Sequence, residues 1–365
     1  MIAGAATAEG TARFAARILP ATEGRFRSFD GRQLSSLGLG TYLGTDDAAT
    51  DTLYRAAATR ALALGINVLD TSVNYRSQRS ERILGEVIRA AISDGDGKLA
   101  RDELLVTSKG GFLPFDGARP RDAAAYFQKT YLDTGLIGPD ELVANCHSLA
   151  PRFLADQLER SRHNLGLATL DVYYLHNPET QLGEIERPEF LRRMRAAFEL
   201  LEHAVSDGKI GCYGTATWSG YRQPHDADDL LRLDELLSLA REVGGADHHF
   251  RMVQLPFNLA MTEAFKLRNQ KGASLLAAAA DAGVYVMTSG SILQGKLTRQ
   301  LPDELRAVLG AELETDAQRA LAFVRSTPGV GTALCGMKTV AHVEENAEIL
   351  AHAPLAAAVI RDILS

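Results

Sequence analysis

The sequence predicts an α/β fold, a (β/α)8 TIM barrel, and three observations support this prediction. Eight short apolar runs follow one another from residue 37 onward, and each has the length of a buried strand. A stretch with the apolar spacing of a helix follows each run, and such alternation is typical of a parallel sheet. The first strand–helix connection lacks the glycine-rich GxGxxG pattern that an open doubly wound sheet would favour. The open sheet is therefore the alternative, and the closed barrel is preferred.

Two segments precede the first barrel strand. Residues 1–24 form an N-terminal extension, with one weak apolar pattern around Phe14 that predicts a partly helical segment. Asp30 and Gly31 stand between two short alternating runs, and this arrangement predicts an N-terminal β-hairpin. We expect residues 25–365 to form one barrel domain.

The repeating unit of the barrel is a strand followed by a helix. The predicted strands cover residues 37–41, 67–70, 104–109, 170–176, 210–215, 252–255, 284–287 and 331–334. The predicted helices cover residues 52–64, 81–92, 151–165, 189–206, 229–243, 271–282, 318–325 and 340–350. One long insertion, residues 110–150, interrupts the alternation after the third strand. Because loops after barrel strands lie on the catalytic face, we expect the insertion to lie over that face.

Composition excludes several classes of protein. The net charge of -7, from 39 basic and 46 acidic side chains, gives no electrostatic footprint for nucleic acid. No apolar run approaches the roughly 18 residues of a membrane span, and the N-terminus has no secretory pattern. Three cysteines (Cys146, Cys212 and Cys335) lie far apart, without metal-type spacing. We therefore expect a cytoplasmic protein without nucleic-acid, membrane or metal partners; residues 94–97 (DGDG) are too short for a calcium loop.

Four polar residues stand at or just after the ends of three successive strands. Asp70 ends the second strand, Tyr75 lies in the loop after it, Lys109 ends the third and His176 ends the fourth. Each alone is compatible with a capping, packing or solvated position. Because the carboxyl ends of barrel strands converge, the four together predict one site.

These four groups suit the reduction of a carbonyl. A tyrosine hydroxyl, with a pKa of about 10, is a poor acid, and a neighbouring ammonium is expected to lower that pKa. A carboxylate beside the lysine keeps the lysine charged, and the histidine offers a second hydrogen bond to the carbonyl oxygen. No side chain carries a hydride, so the reaction requires an organic redox cofactor.

Several motifs around these residues resemble those of the aldo-keto reductases. Residues 70–75 (DTSVNY) are similar to the family's Asp-Thr-Ala-x-x-Tyr motif, residues 106–109 (VTSK) to its lysine strand and residues 171–176 (DVYYLH) to its histidine strand. Similar segments follow in order at residues 208–211, 254–258 and 343–346. The resemblance implies an NAD(P)H-dependent carbonyl reductase or alcohol dehydrogenase. Its catalytic residues would be Tyr75 as the general acid, with Asp70, Lys109 and His176 in support. Its substrate would be a small-molecule carbonyl compound or sugar.

The resemblance also implies where the cofactor binds. Residues expected along the cofactor, from the nicotinamide through the pyrophosphate to the adenosine, are Gly40, Thr41, Asp70, Thr217, Gln254, Ser289, Gly295, Lys338, Thr339, His342, Glu345 and Asn346. Because Lys338 supplies a cation near the expected 2′-phosphate, NADP(H) is favoured over NAD(H). Tyr42, Phe112 and Trp218 are expected in the substrate pocket. The other aromatic residues of the insertion either wall that pocket or pack a small core of their own: Phe115, Tyr126, Phe127 and Tyr131.

Two departures from the family pattern leave alternatives open. Ala216 and Thr217 replace the usual Ser-Asn pair, and Thr288 replaces a tyrosine that often stacks on the nicotinamide. A cofactor-binding regulatory barrel with little or no turnover is therefore the alternative function. A metal-dependent hydrolase on the same barrel would need a His-x-His pair at the first strand end, and residues 39–41 (LGT) offer none.

Overall fold

A computed structural model describes residues 1–18, 22–93, 99–310 and 312–365, and its centre is a closed barrel of eight parallel strands. The strands of the chain are β1 Phe26–Phe29, β2 Arg32–Ser35, β3 Leu37–Gly40, β4 Val68–Asp70, β5 Leu105–Gly110, β6 Leu170–His176, β7 Ile210–Ala216, β8 Phe250–Pro256, β9 Tyr285–Ser289 and β10 Thr332–Gly336. Around the barrel the order is β10-β3-β4-β5-β6-β7-β8-β9. The predicted (β/α)8 barrel is confirmed.

Most helices follow a barrel strand and cover the outside of the barrel, whereas α1 precedes the strands and α4 lies in the insertion. They are α1 Ala8–Arg17, α2 Ala48–Ala63, α3 Arg79–Ser93, α4 Ala123–Phe127, α5 Pro151–Leu165, α6 Arg187–Ser206, α7 Leu233–Gly244, α8 Glu263–Lys266, α9 Leu275–Asp281, α10 Asp303–Leu309, α11 Asp316–Ser326, α12 Val340–Ala347 and α13 Ala357–Leu364. The main apolar core lies between these helices and the strands. None of the helices in the described ranges is long and apolar enough to cross a membrane.

Several helix boundaries differ from the predicted ones because of local capping. The helix predicted to start at residue 52 starts at Ala48, because the Asp47 carboxylate accepts a hydrogen bond from Thr50 N at 2.7 Å. The helix predicted to start at residue 271 starts at Leu275. Lys271 and Gly272 have positive φ values of 50° and 85°, which a helix excludes, and Ser274 caps the helix that follows.

The N-terminal side of the barrel is closed by residues that precede β3. The predicted hairpin is present as β1 and β2, with Asp30 and Gly31 at its turn. Phe29 and Leu34 from this hairpin pack inside the barrel with side chains of the strands. In the N-terminal extension, Ala6 N donates to the Asp171 carboxylate at 2.6 Å, and Phe14 is buried. The described residues of the extension therefore pack against the barrel.

The insertion runs between β5 and α5 and has its own small core. Leu113, Tyr131, Ile137 and Phe153 are buried together, and Phe115 stacks on Phe127 with ring centroids 4.8 Å apart. Of the five aromatic residues of the insertion, Phe115, Tyr126, Phe127 and Tyr131 thus pack with this core, which was one of the two predicted alternatives. Phe112 alone of the five lines the central cavity.

Candidate functional site

A cavity of about 910 Å³ opens at the C-terminal ends of the barrel strands. The register places Gly40 beside Asp70, His176 beside Ala216, and Ala216 beside Gln254, so the polar strand ends meet around this cavity. Most of the predicted site residues line it: Gly40, Thr41, Tyr42, Asp70, Tyr75, Phe112, His176, Thr217, Trp218, Gln254, Ser289, Gly295, Lys338, His342, Glu345 and Asn346. Lys109 is fully buried, bonded to Asp70, and the Thr339 hydroxyl caps α12.

Asp70 and Lys109 form a buried ion pair at the floor of the cavity. Lys109 Nζ lies 2.8 and 2.7 Å from the two Asp70 oxygens and 2.7 Å from the carbonyl oxygen of Thr71. Thr107 and Gln254 donate further hydrogen bonds to Asp70 Oδ1, at 2.7 and 2.8 Å. Burial lowers the pKa of Lys109, and the Asp70 carboxylate opposes that shift. The pair is thereby held in one geometry.

Tyr75 lies above this pair. Lys109 Nζ is 4.9 Å from the centroid of the tyrosine ring, and the ring meets those of Tyr42 and His176 edge-on at 5.0 and 5.8 Å. Burial, and then the charge of Asp70, raise the pKa of Tyr75 well above its ordinary value. The expected lowering of this pKa is therefore not found. The physical reason is that Asp70 balances the charge of Lys109 while the protein desolvates the phenol.

His176 faces Tyr75 from the end of β6. Its Nδ1 atom lies 3.3 Å from Ser72 Oγ, and its ring meets that of Phe112 edge-on at 5.1 Å. Burial, followed by the positive charge of Lys109, lowers the pKa of His176 well below its ordinary value. The imidazole is thus neutral at physiological pH and offers one hydrogen-bonding nitrogen to the cavity.

The insertion supports His176 through a second histidine. His147 Nε2 donates to the backbone carbonyl of His176 at 2.8 Å, and Gln181 Nε2 donates to His147 Nδ1 at 2.9 Å. The amide orientation of Gln181 is set by Arg193, which donates to Oε1 at 2.7 Å. This chain of bonds fixes the end of β6, and sequence reasoning missed it.

The opposite side of the cavity has the donor set of a dinucleotide site. Lys338, Arg299 and His342 supply positive or hydrogen-bonding groups there, as phosphates require. Asn346 Oδ1 is buried without a hydrogen-bond partner among the described residues, although it belongs to a side chain that lines the cavity. An acceptor left in this state fits the exocyclic amine of an adenine. The residues present therefore fit the predicted cofactor.

The two departures from the family pattern, at Thr217 and Thr288, are both buried in the barrel. Thr217 is buried, and its backbone N–H donates to the carbonyl of Gln254 at 2.8 Å. Thr288 is fully buried, with its hydroxyl 3.4 Å from that of Ser291. Thr288 is therefore packed into the barrel wall, and nothing at this position replaces a stacking ring.

Sequence reasoning also missed several lining residues: Leu43, Tyr54, Asn74, Asn177, Ser291, Gln294, Thr298 and Arg299. Asn177 could have been found, because it directly follows His176 at a strand end. Arg299 lies in a long loop after β9, where no periodicity indicates which side chains turn inward.

Comparison with known proteins places the chain in one family. The model of the aldo/keto reductase family matches residues 36–365. An NADH-specific methylglyoxal reductase of Escherichia coli is 26% identical over 188 residues, 50% of this chain and 48% of that protein. Prostaglandin F synthase 1 of Bos taurus is 25% identical over 154 residues, 42% of this chain and 35% of that protein. The chain thus spans about half the length, or less, of these curated relatives.

Solved structures share the fold over nearly the whole chain. An aldo/keto reductase from Klebsiella pneumoniae, in complex with NADP and acetate, has a TM-score of 0.61 and 20% identity, and the match covers 94% of this chain and 93% of that one. An aldo-keto reductase from Bacillus halodurans in its holo form has a TM-score of 0.62 and 18% identity, with 94% and 96% covered. At these identities the likeness establishes the fold.

Proposed function

Because the chain belongs to the aldo/keto reductase family, we propose that it is an NAD(P)H-dependent oxidoreductase of small carbonyl compounds or sugars. It would reduce an aldehyde or ketone to the alcohol, or catalyse the reverse. One observation carries this proposal: Tyr75 lies directly over the Lys109–Asp70 pair and faces a neutral His176 inside one cavity. A binding protein would gain nothing from burying this costly set of groups together.

The proposed roles follow from these contacts. A bound nicotinamide cofactor would supply the hydride that the carbonyl carbon receives. Tyr75 would give its hydroxyl proton to the carbonyl oxygen as negative charge develops there, and such general acid catalysis contributes about 10²–10⁴ in rate. The raised pKa of Tyr75 keeps the proton on the hydroxyl until that charge develops. His176 would donate or share a hydrogen bond that orients the oxygen, while Lys109 and Asp70 hold the ring in place.

The cofactor would lie between the proton site and the cations of the far wall. Gln254, which is bonded to Asp70, and Thr217, which is bonded to Gln254, would meet the nicotinamide, and Lys338 would meet a 2′-phosphate. We therefore propose NADP(H) in preference to NAD(H). The K. pneumoniae structure contains NADP, whereas the E. coli relative is NADH-specific, so the relatives support a nicotinamide cofactor of either kind.

Binding of the cofactor is the first test. Titration of the purified protein with NADPH and NADH, followed by fluorescence, should give a dissociation constant well below millimolar for NADPH and a weaker one for NADH. If neither binds below millimolar concentration, the redox assignment fails. Oxidation of NADPH in the presence of a panel of aldehydes, ketones and sugars then tests turnover.

A second candidate function is a cofactor-sensing barrel with little or no turnover. The replaced nicotinamide contacts at Ala216, Thr217 and Thr288 favour it, because loose placement of the ring would slow hydride transfer. Tight NADPH binding with no oxidation across the panel would decide for this function. For either function we propose a reducing, cytoplasmic location, which is consistent with three free cysteines.

A further inference from the structure

We propose that the substrate is an uncharged carbonyl compound with a planar ring, and that the site discriminates against carboxylate-bearing substrates. This inference rests on the proposed function and narrows its substrate class. It is carried by the way in which charged and aromatic side chains are divided between two opposite walls of the cavity.

The charged side chains that line the cavity, apart from Asp70, come from one wall. They are Arg299 after β9 and Lys338 and Glu345 after β10, with His342 beside them. In the closed strand order, β9 lies directly across the barrel from β5, and β10 lies directly across from β6. The cations therefore stand opposite the strands that carry Lys109 and His176. Under the proposed function they would bind the phosphates of the cofactor, and they lie away from the proton site.

The wall around the proton site is uncharged and largely aromatic. Its lining side chains are Tyr42, Asn74, Tyr75, Phe112, Asn177 and Trp218. Asp70 is the one charged residue that lines this wall, and its carboxylate is already neutralised by Lys109, whose Nζ lies 2.7 Å from Oδ2. Among the described residues, this wall therefore offers no free cation to an incoming anion.

Two arginines in the neighbouring loops are also already paired. Arg76, after β4, is buried and lies 2.6 Å from Asp51, and Arg222, after β7, lies 2.9 Å from Glu263. The Glu179 carboxylate accepts backbone hydrogen bonds from the loop that bears Trp218, at 2.8 Å from the Trp218 nitrogen. A carboxylate bound at this wall would lose its water without gaining a counter-ion, and such burial is strongly unfavourable.

The same wall has groups that suit a neutral ring. Tyr42 and Trp218 are 56% and 45% exposed at the cavity mouth, which leaves ring faces free for a planar partner. The Asn177 side-chain amide makes no hydrogen bond to another described residue, although its backbone N–H is bonded to Ala216 at 2.6 Å. A free amide of this kind can bind a neutral hydroxyl, ester or carbonyl substituent.

A matched pair of aldehydes tests the inference. Methyl 4-formylbenzoate and 4-formylbenzoic acid share the ring and the reacting aldehyde but differ in charge. We expect kcat/KM with NADPH to be about tenfold or more higher for the ester. Trp218 is the only tryptophan of the chain, so its emission reports binding of either aldehyde to the Tyr75→Phe variant loaded with NADPH, whose nicotinamide is uncharged and which is expected not to turn over. The ester should also bind at least tenfold more tightly in this second measurement.

An added cation should reverse this preference. In Asn177→Lys the ratio of kcat/KM for acid over ester should rise about tenfold, whereas Asn177→Gln should leave the ratio near that of the wild type. Because Asn177 has a φ of 46°, which lysine tolerates less well, Asn74→Lys provides a second variant on the same wall. NADPH affinity shows that each variant is folded.

The outcomes separate this inference from the proposed function. Equal use of the two aldehydes, a preference for the acid, or failure to bind the ester in a protein that binds NADPH would overturn the neutral-substrate inference alone. An unchanged acid-to-ester ratio in both lysine variants would overturn it as well. If the wild-type protein does not bind NADPH at all, the proposed function is refuted instead.

Discussion

His147 donates a hydrogen bond from Nε2 to the backbone carbonyl of His176, over 2.8 Å, and so ties the long insertion to the end of β6. Gln157 ties the start of the insertion to α5, because its side chain accepts from Gly111 N at 2.8 Å and donates to the carbonyl of Phe112 at 2.6 Å. Phe112 packs edge-on between the rings of the two histidines. The insertion thus forms a fixed wall of the candidate site.

Removal of the His147 side chain should impair turnover more than cofactor binding. In His147→Ala the His176 carbonyl and the Gln181 amide both lose their partner, which costs about 1–3 kcal/mol of folding free energy. Because a small displacement of His176 changes the geometry of the carbonyl oxygen, we expect kcat to fall about tenfold or more. NADPH affinity, measured by titration, should change less than threefold. His163→Ala, at an exposed position, is the control, and an equal loss there would contradict the positioning role.

The same histidine should make stability depend on pH. Burial lowers the pKa of His147 from 6.5 to about 4, so the unfolded chain binds this proton more readily than the folded one. The free energy of unfolding should therefore fall as the pH falls from about 6.5 to about 4, by about 3 kcal/mol for this group. Urea unfolding across this range should show a smaller slope in His147→Ala than in the wild type. Equal slopes in the two proteins would show that another titratable group causes the pH dependence of stability.

The proton-donor role of Tyr75 has a specific signature. Tyr75→Phe removes only the hydroxyl, so the ring contacts with Tyr42, His176 and Lys109 Nζ can remain. We expect turnover to fall by about 10²–10⁴ while NADPH affinity stays nearly constant. Tyr42→Phe, which removes the hydroxyl of the neighbouring ring, is the matched control. Substantial turnover in Tyr75→Phe would refute the acid role.

Removal of one charge of the Asp70–Lys109 pair should lower the free energy of unfolding more than removal of both charges. Lys109→Met leaves the Asp70 carboxylate buried without a counter-ion, and the expected loss is about 3–5 kcal/mol of unfolding free energy. The double variant Asp70→Asn/Lys109→Met removes both charges and should recover at least half of that loss while remaining inactive. Urea unfolding measures the first effect and NADPH oxidation the second. The exposed Arg13–Asp102 pair, treated in the same way, should change stability far less, because solvent screens its charges. A double variant no more stable than Lys109→Met would contradict this account.

The sequence predicted the barrel and the convergence of Asp70, Lys109 and His176, because both follow from local patterns. Alternation of apolar runs and helical spacing determines a parallel barrel, and strand ends in a barrel meet whatever the loops do. The His147–His176 bond depends instead on how an insertion without periodicity folds back on the site. The direction in which the pKa of Tyr75 shifts could also not be predicted from the sequence. It depends on desolvation of the phenol and on Asp70, which balances the charge of Lys109.

The two cations of the far wall should have different effects on the cofactor. Lys338 is expected at the 2′-phosphate, which only NADPH carries, so Lys338→Ala should weaken NADPH binding about tenfold and leave NADH binding nearly unchanged. Arg299 follows the loop of Gly295, which is expected at the pyrophosphate common to both cofactors. Arg299→Ala should therefore weaken NADPH and NADH binding by similar factors.

Titration of each variant with both cofactors separates these two positions. Lys296→Ala is the control for both variants, because Lys296 is an exposed lysine in the loop that bears Arg299 and does not line the cavity. Neither affinity should change in it by more than about twofold, since an exposed charge outside the site is largely screened by salt. If Lys338→Ala weakens both cofactors equally, the lysine lies at the pyrophosphate, and the preference for NADP(H) has no support from this side chain.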